Sequence, residues 1–257
     1  IQGMGGLMSV TGERDDLPGG GPQKLGIAFS DITTGLYAAI AIQAAIIDRY
    51  TSGLGQYIDM ALLDVQIATL ANQGMNYLAS DQIPVRYGNA HANIVPYQVF
   101  QASDRDFIIA CGNDSQFINL CTAIDRSDLA RDPRFKRNAD RIAHREQIIS
   151  ELAHHFKTKK ADEWVRKIHA AHVPVGLIND LKQAFEEPQV RQRNMLIKME
   201  HPQRDELTIV GSPIKMSRTP VEYKLAPPTL GQHTKTVLGR FLSSDELQKL
   251  SQQGVIE

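Results

Sequence analysis

Asp31 is the carboxylate whose position in the sequence is best suited to chemistry. It follows Ser30 and heads the long apolar run ITTGLYAAIAIQAAIIDRY, whose spacing predicts a helix over residues 31–51. Free backbone N–H groups and the positive end of the helix dipole favour an anionic group at such a place. Aspartate is also a common helix N-cap. Residue type and position therefore fit either a capping residue or a reactive carboxylate.

Two other segments could contact a substrate. His91 lies in the turn-rich stretch GNAHANIVP, but no carboxylate near it in sequence marks it as a general base. The glycines at 19–21 lie in DDLPGGGPQK, which has neither a P-loop pattern nor a strand–GxGxxG–helix context. From the residues alone, His91 is expected to be structural or exposed, and the glycines are expected to form a surface loop.

Cysteine usage gives no metal or redox motif. Cys111 and Cys121 have no CxxC companion and no histidine cluster at ligand spacing. We expect no metal site and no disulfide framework, which favours a reducing compartment and a cytoplasmic location.

The first 85 residues must position Asp31. The predicted helix at 31–51 has Leu36, Ile40 and Ile47 at helical spacing and is expected to be largely buried. QYIDMAL then alternates like a short strand, and a second helix is predicted over residues 62–80. Helix, strand and helix in this order fit an α/β layer.

The next hundred residues have a different pattern. YQVFQASDRDFIIACG predicts two short strands joined by a turn, and FINLCTAI, REQIISELAHHFK and ADEWVRKIHAAH predict helices. PVGLINDLKQAF adds a strand and a helix, TIVGSPIKMS adds a strand pair, and a last amphipathic helix covers residues 243–253. This predicts a smaller α+β unit followed by a C-terminal segment.

Composition excludes several classes of protein. The 257 residues are 42% hydrophobic and 22% charged with a formal net charge of −1, as in ordinary globular proteins. No clustered basic charge indicates a nucleic-acid partner. The most apolar stretch, residues 35–47, is shorter than the roughly 20 residues that span a bilayer, so no membrane association is expected.

Several blocks of the sequence resemble the class III coenzyme A (CoA) transferase family, of the formyl-CoA and carnitine-CoA transferase type. They are GLMSVTGERD, FSDITTGLYAAIAIQAAI, SGLGQYIDMALLD, RYGNAHANIVPYQVFQASD, DFIIACGNDSQF and the closing APPTLGQHT. The resemblance implies that CoA passes from an acyl-CoA to a free carboxylic acid, with a dicarboxylate such as succinate or glutarate as a candidate. It implies no permanently bound cofactor, because CoA and its thioesters are substrates.

The resemblance also implies roles for particular residues. Asp31 occupies the position of the family's nucleophile, which attacks the donor thioester, forms a mixed anhydride and then an aspartyl-CoA thioester. GNAHANIVP falls where family members carry a mobile and often glycine-rich loop, so Asn89 and His91 are predicted to contact the acceptor or the thioester. This stretch departs from the glycine-rich version of the loop. No residue is predicted to contact the adenine or the phosphates of CoA.

The fold implied by the resemblance is α/β, with a partial Rossmann-like large domain, a smaller α+β domain and an interlocked homodimer. We divide the chain into residues 1–85 of the large domain with the catalytic Asp31, residues 86–188 as the small domain, and residues 189–257 returning to the large domain. IQGMGGLMSV shows no signal or transit peptide, and the start at Ile1 suggests that the family's nucleotide-binding N-terminal part is absent. We therefore expect weak CoA binding by this chain alone.

Two alternatives remain open. The α-methylacyl-CoA racemase branch of the same superfamily uses an aspartate at this position for proton transfer, although its glycine-rich DFAGGG-like block is replaced here by DITTG. The chain could also be an incomplete protein or an interaction module, inactive without a partner that completes its sheet.

Overall fold

The structure, a computed structural model, describes residues 1–256 and has a mixed α/β fold, as the sequence predicts. The chain forms two compact units, the first covering Ile1–Ile178 and the second beginning at Asn179. The three-part division made from the family resemblance stays a prediction.

Three helices follow the irregular N-terminal segment, which contains a short 3-10 helix at Leu7–Ser9. They are α1 (Phe29–Ser52), α2 (Leu62–Ala68) and α3 (Ala71–Ser80). The predicted strand in QYIDMAL is wrong, because residues 53–61 have no regular secondary structure. The predicted helix at 62–80 is interrupted at Thr69–Leu70, and Ala71 has a positive φ of 49°.

Helix α1 packs through small side chains, and its large apolar side chains are exposed. Ser30 is buried, and Thr34, Ala38, Ala41 and Ala45, which follow it at helical spacing, are half-buried. The predicted core stripe is exposed instead, with 60% exposure at Leu36, 63% at Ile40 and 68% at Ile47. The prediction of a largely buried helix is therefore wrong within the described residues, and the contact that the structure shows from α1 to α2 is made by the small residue Ser30.

The 24 residues of α1 are long and apolar enough to span a membrane by length and composition. The shorter stretch considered from sequence, residues 35–47, did not indicate this. The core helix of a water-soluble protein meets the same test, so length and composition do not establish a membrane-spanning role.

The small sheet of the first unit agrees with the sequence prediction. Strands β1 (Tyr97–Gln101), β2 (Asp106–Ala110) and β3 (Val175–Leu177) form an antiparallel sheet in that order. Phe107 in the central strand is opposite Phe100 on one side and Leu177 on the other.

Five helices pack around this sheet. They are α4 (Asp114–Ala123), α5 (Ser127–Arg131), α6 (Asn138–Ala143), α7 (Arg145–Phe156) and α8 (Ala161–Ala170), with a 3-10 turn at Pro133–Phe135. Phe107, Phe156 and Trp164 form the aromatic centre of the core, with rings in edge-to-face contact at 5.1 and 5.4 Å. Trp164 Nε1 donates to the carbonyl of Phe156 at 2.8 Å, which satisfies the one polar atom of that buried ring.

The second unit contains a hairpin and four short helices among its described residues. Strand β4 (Leu196–His201) pairs with β5 (Arg204–Val210). The prediction of a strand pair within TIVGSPIKMS is half right, because TIV belongs to β5 and its partner precedes it. The helices are α9 (Leu181–Glu186), α10 (Pro188–Gln192), α11 (Thr234–Leu238) and α12 (Ser244–Gln252), the last begun by a capping box of Ser243 and Glu246.

Candidate active site

Asp31 is the third residue of α1 and does not cap it. The helix begins at Phe29, its N-cap residue is Ala28, and no side chain caps its first turn. The predicted helix start at Asp31 is therefore two residues late, and of the two roles considered the structure does not show capping. The placement of Asp31 in the positive first turn of a long helix is confirmed. Its carboxylate is exposed. A solvent-accessible carboxylate in this position is available to react with a small molecule.

The residue before Asp31 fixes the first turn of α1. Ser30 is buried, and its hydroxyl donates to Oε1 of the fully buried Gln66 in α2 at 2.7 Å. Gly5 lies against the same glutamine, since a Cβ added there would be 2.3 Å from Gln66 Cγ. The turn that carries Asp31 is thus held between α2 and the N-terminal segment.

The 88–96 loop, residues Gly88 to Pro96, carries both of the other predicted site residues. Asn89 is exposed. His91 is half-buried, its ring stacks on Tyr97 at 5.2 Å, and its Nδ1 accepts from the backbone N–H of Asn93 at 3.0 Å. Burial and the nearby charge of Arg145 lower the pKa of His91. His91 is therefore neutral at pH 7, with its proton on Nε2.

Three side chains from α6 and α7 hold this loop. Asn138 donates to the carbonyl of Asn93 at 2.8 Å and accepts from the N–H of Val95. Arg141 Nε donates to the carbonyl of Val95 at 2.6 Å. Arg145 Nη2 donates to the carbonyls of His91 and Ala92 at 3.0 and 2.7 Å. The loop is fixed along much of its length by side chains spaced three and four residues apart.

A second set of contacts joins the loop to the helices near Asp31. The side-chain oxygen of Asn93 accepts hydrogen bonds from the side chains of Asn72 at 2.9 Å and Asn76 at 3.1 Å, both in α3. At its start, Gly88 donates to the carbonyl of Gly12 in the N-terminal segment. Within the described residues, no hydrogen bond or ion pair joins Asp31 directly to Asn89 or His91. The first turn of α1 and the 88–96 loop are connected only indirectly in the described residues, through contacts with α2, α3 and the N-terminal segment.

The sequence prediction missed the arginines around the loop. Arg86, which is nearly buried, donates to the carbonyls of Ser9 and Glu13 and pairs with Asp15. Arg145 lies over the ring of Tyr87 at 4.9 Å. Arg86 and Tyr87 are the first residues of the block RYGNAHANIVP, so the sequence placed them next to the predicted site. Nothing near Arg145 in sequence indicated that it contacts the loop.

Neither cysteine is exposed to solvent. Cys111 and Cys121 are free thiols in the core, and burial raises the pKa of each to about 12. Within residues 1–256, no group of three or more histidine, cysteine or acidic side chains is placed to hold a metal ion.

The closing APPTLGQHT segment lies in the second unit. Gly231 has a positive φ of 71°, and Gln232 Oε1 accepts from the backbone N–H of Thr229 at 2.8 Å, which makes a compact turn before α11. His233 lines an open cleft within the second unit, together with His201 and Arg204.

A family model described as CoA-transferase family III matches residues 1–234. A protein named succinate–glutarate CoA-transferase from Agrobacterium fabrum is 45% identical over 244 residues, which are 94% of this chain and 59% of that protein. A protein named succinyl-CoA:glutarate CoA-transferase from Homo sapiens is 34% identical over 99% of this chain and 58% of its own length.

The fold also matches a solved structure. A crystal structure of a CaiB/BaiF family protein from Brucella suis superposes with a TM-score of 0.73 and 44% sequence identity. The match covers 93% of this chain and 61% of that protein. The chain therefore spans about three-fifths of the length of the relatives that it matches.

Proposed function

Because the chain belongs to CoA-transferase family III, we propose that it transfers CoA from an acyl-CoA to a free carboxylic acid through a covalent intermediate on Asp31. The observation that carries the proposal is the match to proteins named as succinate and glutarate CoA-transferases, at 45% and 34% identity over nearly the whole chain. The exposed carboxylate on the fixed first turn of α1 supports it. The same names support a dicarboxylic acid, succinate or glutarate, as acceptor.

The proposed reaction begins with attack of the Asp31 carboxylate on the thioester carbonyl of the donor. The carbon–sulfur bond breaks, CoA leaves as a thiolate, and a mixed anhydride of Asp31 remains. The thiolate then attacks the Asp31 carbonyl, which releases the donor acid and leaves an aspartyl-CoA thioester. The covalent intermediate divides one difficult exchange into easier steps.

The second half of the reaction mirrors the first. The acceptor carboxylate attacks the aspartyl-CoA thioester, which gives a new anhydride and free thiolate. The thiolate attacks the acceptor's carbonyl, which forms the product acyl-CoA and restores the Asp31 carboxylate. The first-turn N–H groups of α1 favour the ionised carboxylate at each return to this state. We propose that Asn89 and the neutral His91, on the fixed 88–96 loop, contact the acceptor or the thioester.

The decisive experiment traps the covalent intermediate. The protein is incubated with succinyl-CoA and hydroxylamine, digested, and searched by mass spectrometry for an aspartyl hydroxamate. We expect the modification on the peptide containing Asp31, and only when succinyl-CoA is present. If Asp31 stays unmodified and the protein instead exchanges the proton next to the thioester carbonyl, the transfer proposal is wrong and a racemase-type reaction takes its place.

Two variants of the same helix make the test specific. Asp31→Asn removes the nucleophile and is expected to lower transfer by about three orders of magnitude or more. Asp48→Asn changes an aspartate near the other end of α1 and is expected to leave transfer and trapping intact. Equal activity of the Asp31→Asn variant and the unaltered protein would refute the assignment.

We further propose that the protein is a cytoplasmic homodimer that does not associate with a membrane or with nucleic acid. The exposed apolar side chains of α1 support an oligomer, because contiguous apolar surface of this kind marks interaction sites. The two free, buried thiols and the net charge of −1 support the location and the absence of a nucleic-acid partner. Size-exclusion chromatography with light scattering tests the dimer, and a monomer at micromolar concentration would refute it.

A further inference from the structure

The buried hydrogen bond between Ser30 and Gln66 involves the residue next to Asp31. In the part of the chain that the structure describes, three polar side chains are buried, and two of them, Ser30 and Gln66, bond to each other at 2.7 Å. A buried amide costs free energy unless its polar atoms are bonded, and an apolar side chain would avoid that cost. What the glutamine supplies and an apolar side chain would not is a directional bond to the turn that carries Asp31.

The Gln66 amide is oriented by a second hydrogen bond. Its Oε1 accepts from Ser30, and its Nε2 donates to the hydroxyl of Thr69 at 3.3 Å. That hydroxyl in turn donates to the backbone carbonyl of Gln66 at 2.9 Å. A glutamate could not form both side-chain bonds, because an ionised carboxylate only accepts. The amide therefore presents its oxygen, and not its nitrogen, to Ser30.

Gly5 of the N-terminal segment packs against the Gln66 side chain. Gly5 is buried, and a Cβ added to it would lie 2.3 Å from Cγ and 3.1 Å from Cβ of Gln66. These two atoms belong to a side chain with no exposed surface, so it could not move aside without disturbing its neighbours. A residue larger than glycine at position 5 would thus push the amide away from its place beside Ser30.

The first turn of α1 depends on this contact because the helix has no cap of its own. No side chain caps its free N–H groups, and uncapped helix ends fray. The hydroxyls of Thr33 and Thr34 donate to carbonyls of the same turn, so they do not serve its N–H groups. Among the described residues, the bond from Ser30 to Gln66 is the one side-chain hydrogen bond that joins this turn to another helix.

We propose that Gln66 is a positioning residue for the carboxylate of Asp31, acting through Ser30 and the first turn of α1. This rests on the proposed function, because the role concerns the reaction of Asp31 with a thioester. A reacting group must be held within about 0.5 Å of its productive position. A misplacement of about 1 Å can slow a reaction about a hundredfold. Without the bond to Gln66, the turn fluctuates more and Asp31 meets a bound thioester in fewer productive orientations.

The test measures how fast Asp31 reacts. The protein is mixed with succinyl-CoA and hydroxylamine, and the initial rate of hydroxamate formation on Asp31 is followed by mass spectrometry over a range of succinyl-CoA concentrations. Gln66→Met keeps the length of the side chain and removes its amide. We expect the maximal rate to fall about tenfold to a hundredfold. The half-saturating concentration should change less than about twofold, because the buried Gln66 does not touch the thioester.

Gly5→Ala is a second variant, which leaves both bonding groups in place. Its added methyl group should displace the Gln66 amide, and we expect the rate of Asp31 modification to fall about tenfold. Gly3→Ala is the matched control, because a Cβ at that position would meet Met8 Sδ at 3.7 Å, an ordinary contact. Gly3→Ala should leave the rate unchanged.

A double variant separates positioning from stability. Ser30→Ala combined with Gln66→Met removes both partners, so the urea midpoint, followed by circular dichroism, should return towards that of the unaltered protein. The rate of Asp31 modification should stay as low as in Gln66→Met alone, because the directional bond is still absent. Ile168→Val, a core substitution in α8, is the control for lost stability: it should lower the midpoint and leave the rate unchanged.

The outcomes distinguish this proposal from the proposed function. If Asp31 is modified as fast in Gln66→Met as in the unaltered protein, the role of Gln66 is overturned and the proposed function stands. A double variant that regains both the urea midpoint and the rate would also overturn it, because the pair would then contribute stability alone. If Asp31 of the unaltered protein is not modified at all, the proposed function is refuted, and the role of Gln66 in that reaction is refuted with it.

Discussion

Replacement of Arg141 by alanine tests whether α6 holds the 88–96 loop. The Arg141 side chain has no exposed surface, and its guanidinium donates to the buried carbonyls of Val95 at 2.6 Å and Phe135 at 2.9 Å. It also pairs with Asp114 and lies 4.4 Å from the centre of the Phe117 ring. One side chain thus joins the end of the loop to the 3-10 turn at Pro133–Phe135 and to α4.

The magnitude follows from the groups that the substitution would leave unpaired. Each buried carbonyl without a donor costs about 1–3 kcal/mol. The cation–π contact adds about 0.5–2 kcal/mol. Asp114 is half-exposed, so water compensates its loss and we assign it nothing. We therefore expect Arg141→Ala to lower the free energy of unfolding by about 3 kcal/mol or more.

Urea unfolding monitored by tryptophan fluorescence measures this effect. Trp164 is the single tryptophan and lies in the same core, so its signal reports on the domain that contains Arg141. Arg137→Ala is the matched control: that arginine is 74% exposed and pairs with Asp140 three residues away, and its loss should leave the free energy of unfolding almost unchanged. A loss below about 1 kcal/mol for Arg141→Ala would refute the reasoning.

Three further predictions concern single contacts. Ser30→Ala leaves Oε1 of the buried Gln66 without a donor and should lower the free energy of unfolding by about 1–3 kcal/mol, against about 0.5 kcal/mol or less for the exposed Ser52→Ala of the same helix. The pKa of His91 is lower in the folded than in the unfolded protein, so the folded state binds fewer protons, and stability should decline as the pH falls below about 6.5; a His91→Gln variant that keeps the full decline would contradict this. Cys111 and Cys121, whose pKa values are raised to about 12, should resist iodoacetamide at pH 8 in the folded protein and react after unfolding, and rapid alkylation of the folded protein would refute their burial.

The part of the first unit from β1 to β3 could be predicted from sequence because it buries its own apolar faces. Trp164 and Ile168 recur at helical spacing in ADEWVRKIHAAH, and both are buried in the core. Phe107 and Ile109 alternate in DFIIACG, and both are buried in β2. Where periodicity and burial are satisfied within one stretch of chain, the local pattern is sufficient.

The errors fall where the outcome depends on groups distant in sequence. Alternation in QYIDMAL is a local property, but a strand needs a partner strand, and no described residue pairs with it. The apolar stripe of α1 can be identified from sequence, but its burial depends on whether other parts of the chain pack against it. Arg145 reaches the carbonyl of His91 across 54 positions, which no spacing rule could indicate.

The geometry around Asp31 gives its own argument for a reactive role. Ser30 is the only fully buried residue of α1, and Asp31 immediately follows it with an exposed carboxylate. The hydrogen bond from Ser30 to Gln66 fixes the turn at that point, while the side chain beside it remains open to solvent. A helix cap would need to face its own backbone, which Asp31 does not. In the proposed reaction two acids must reach the nucleophile in succession, which requires a fixed backbone and an open side chain. Ser30 and Asp31 together provide this arrangement.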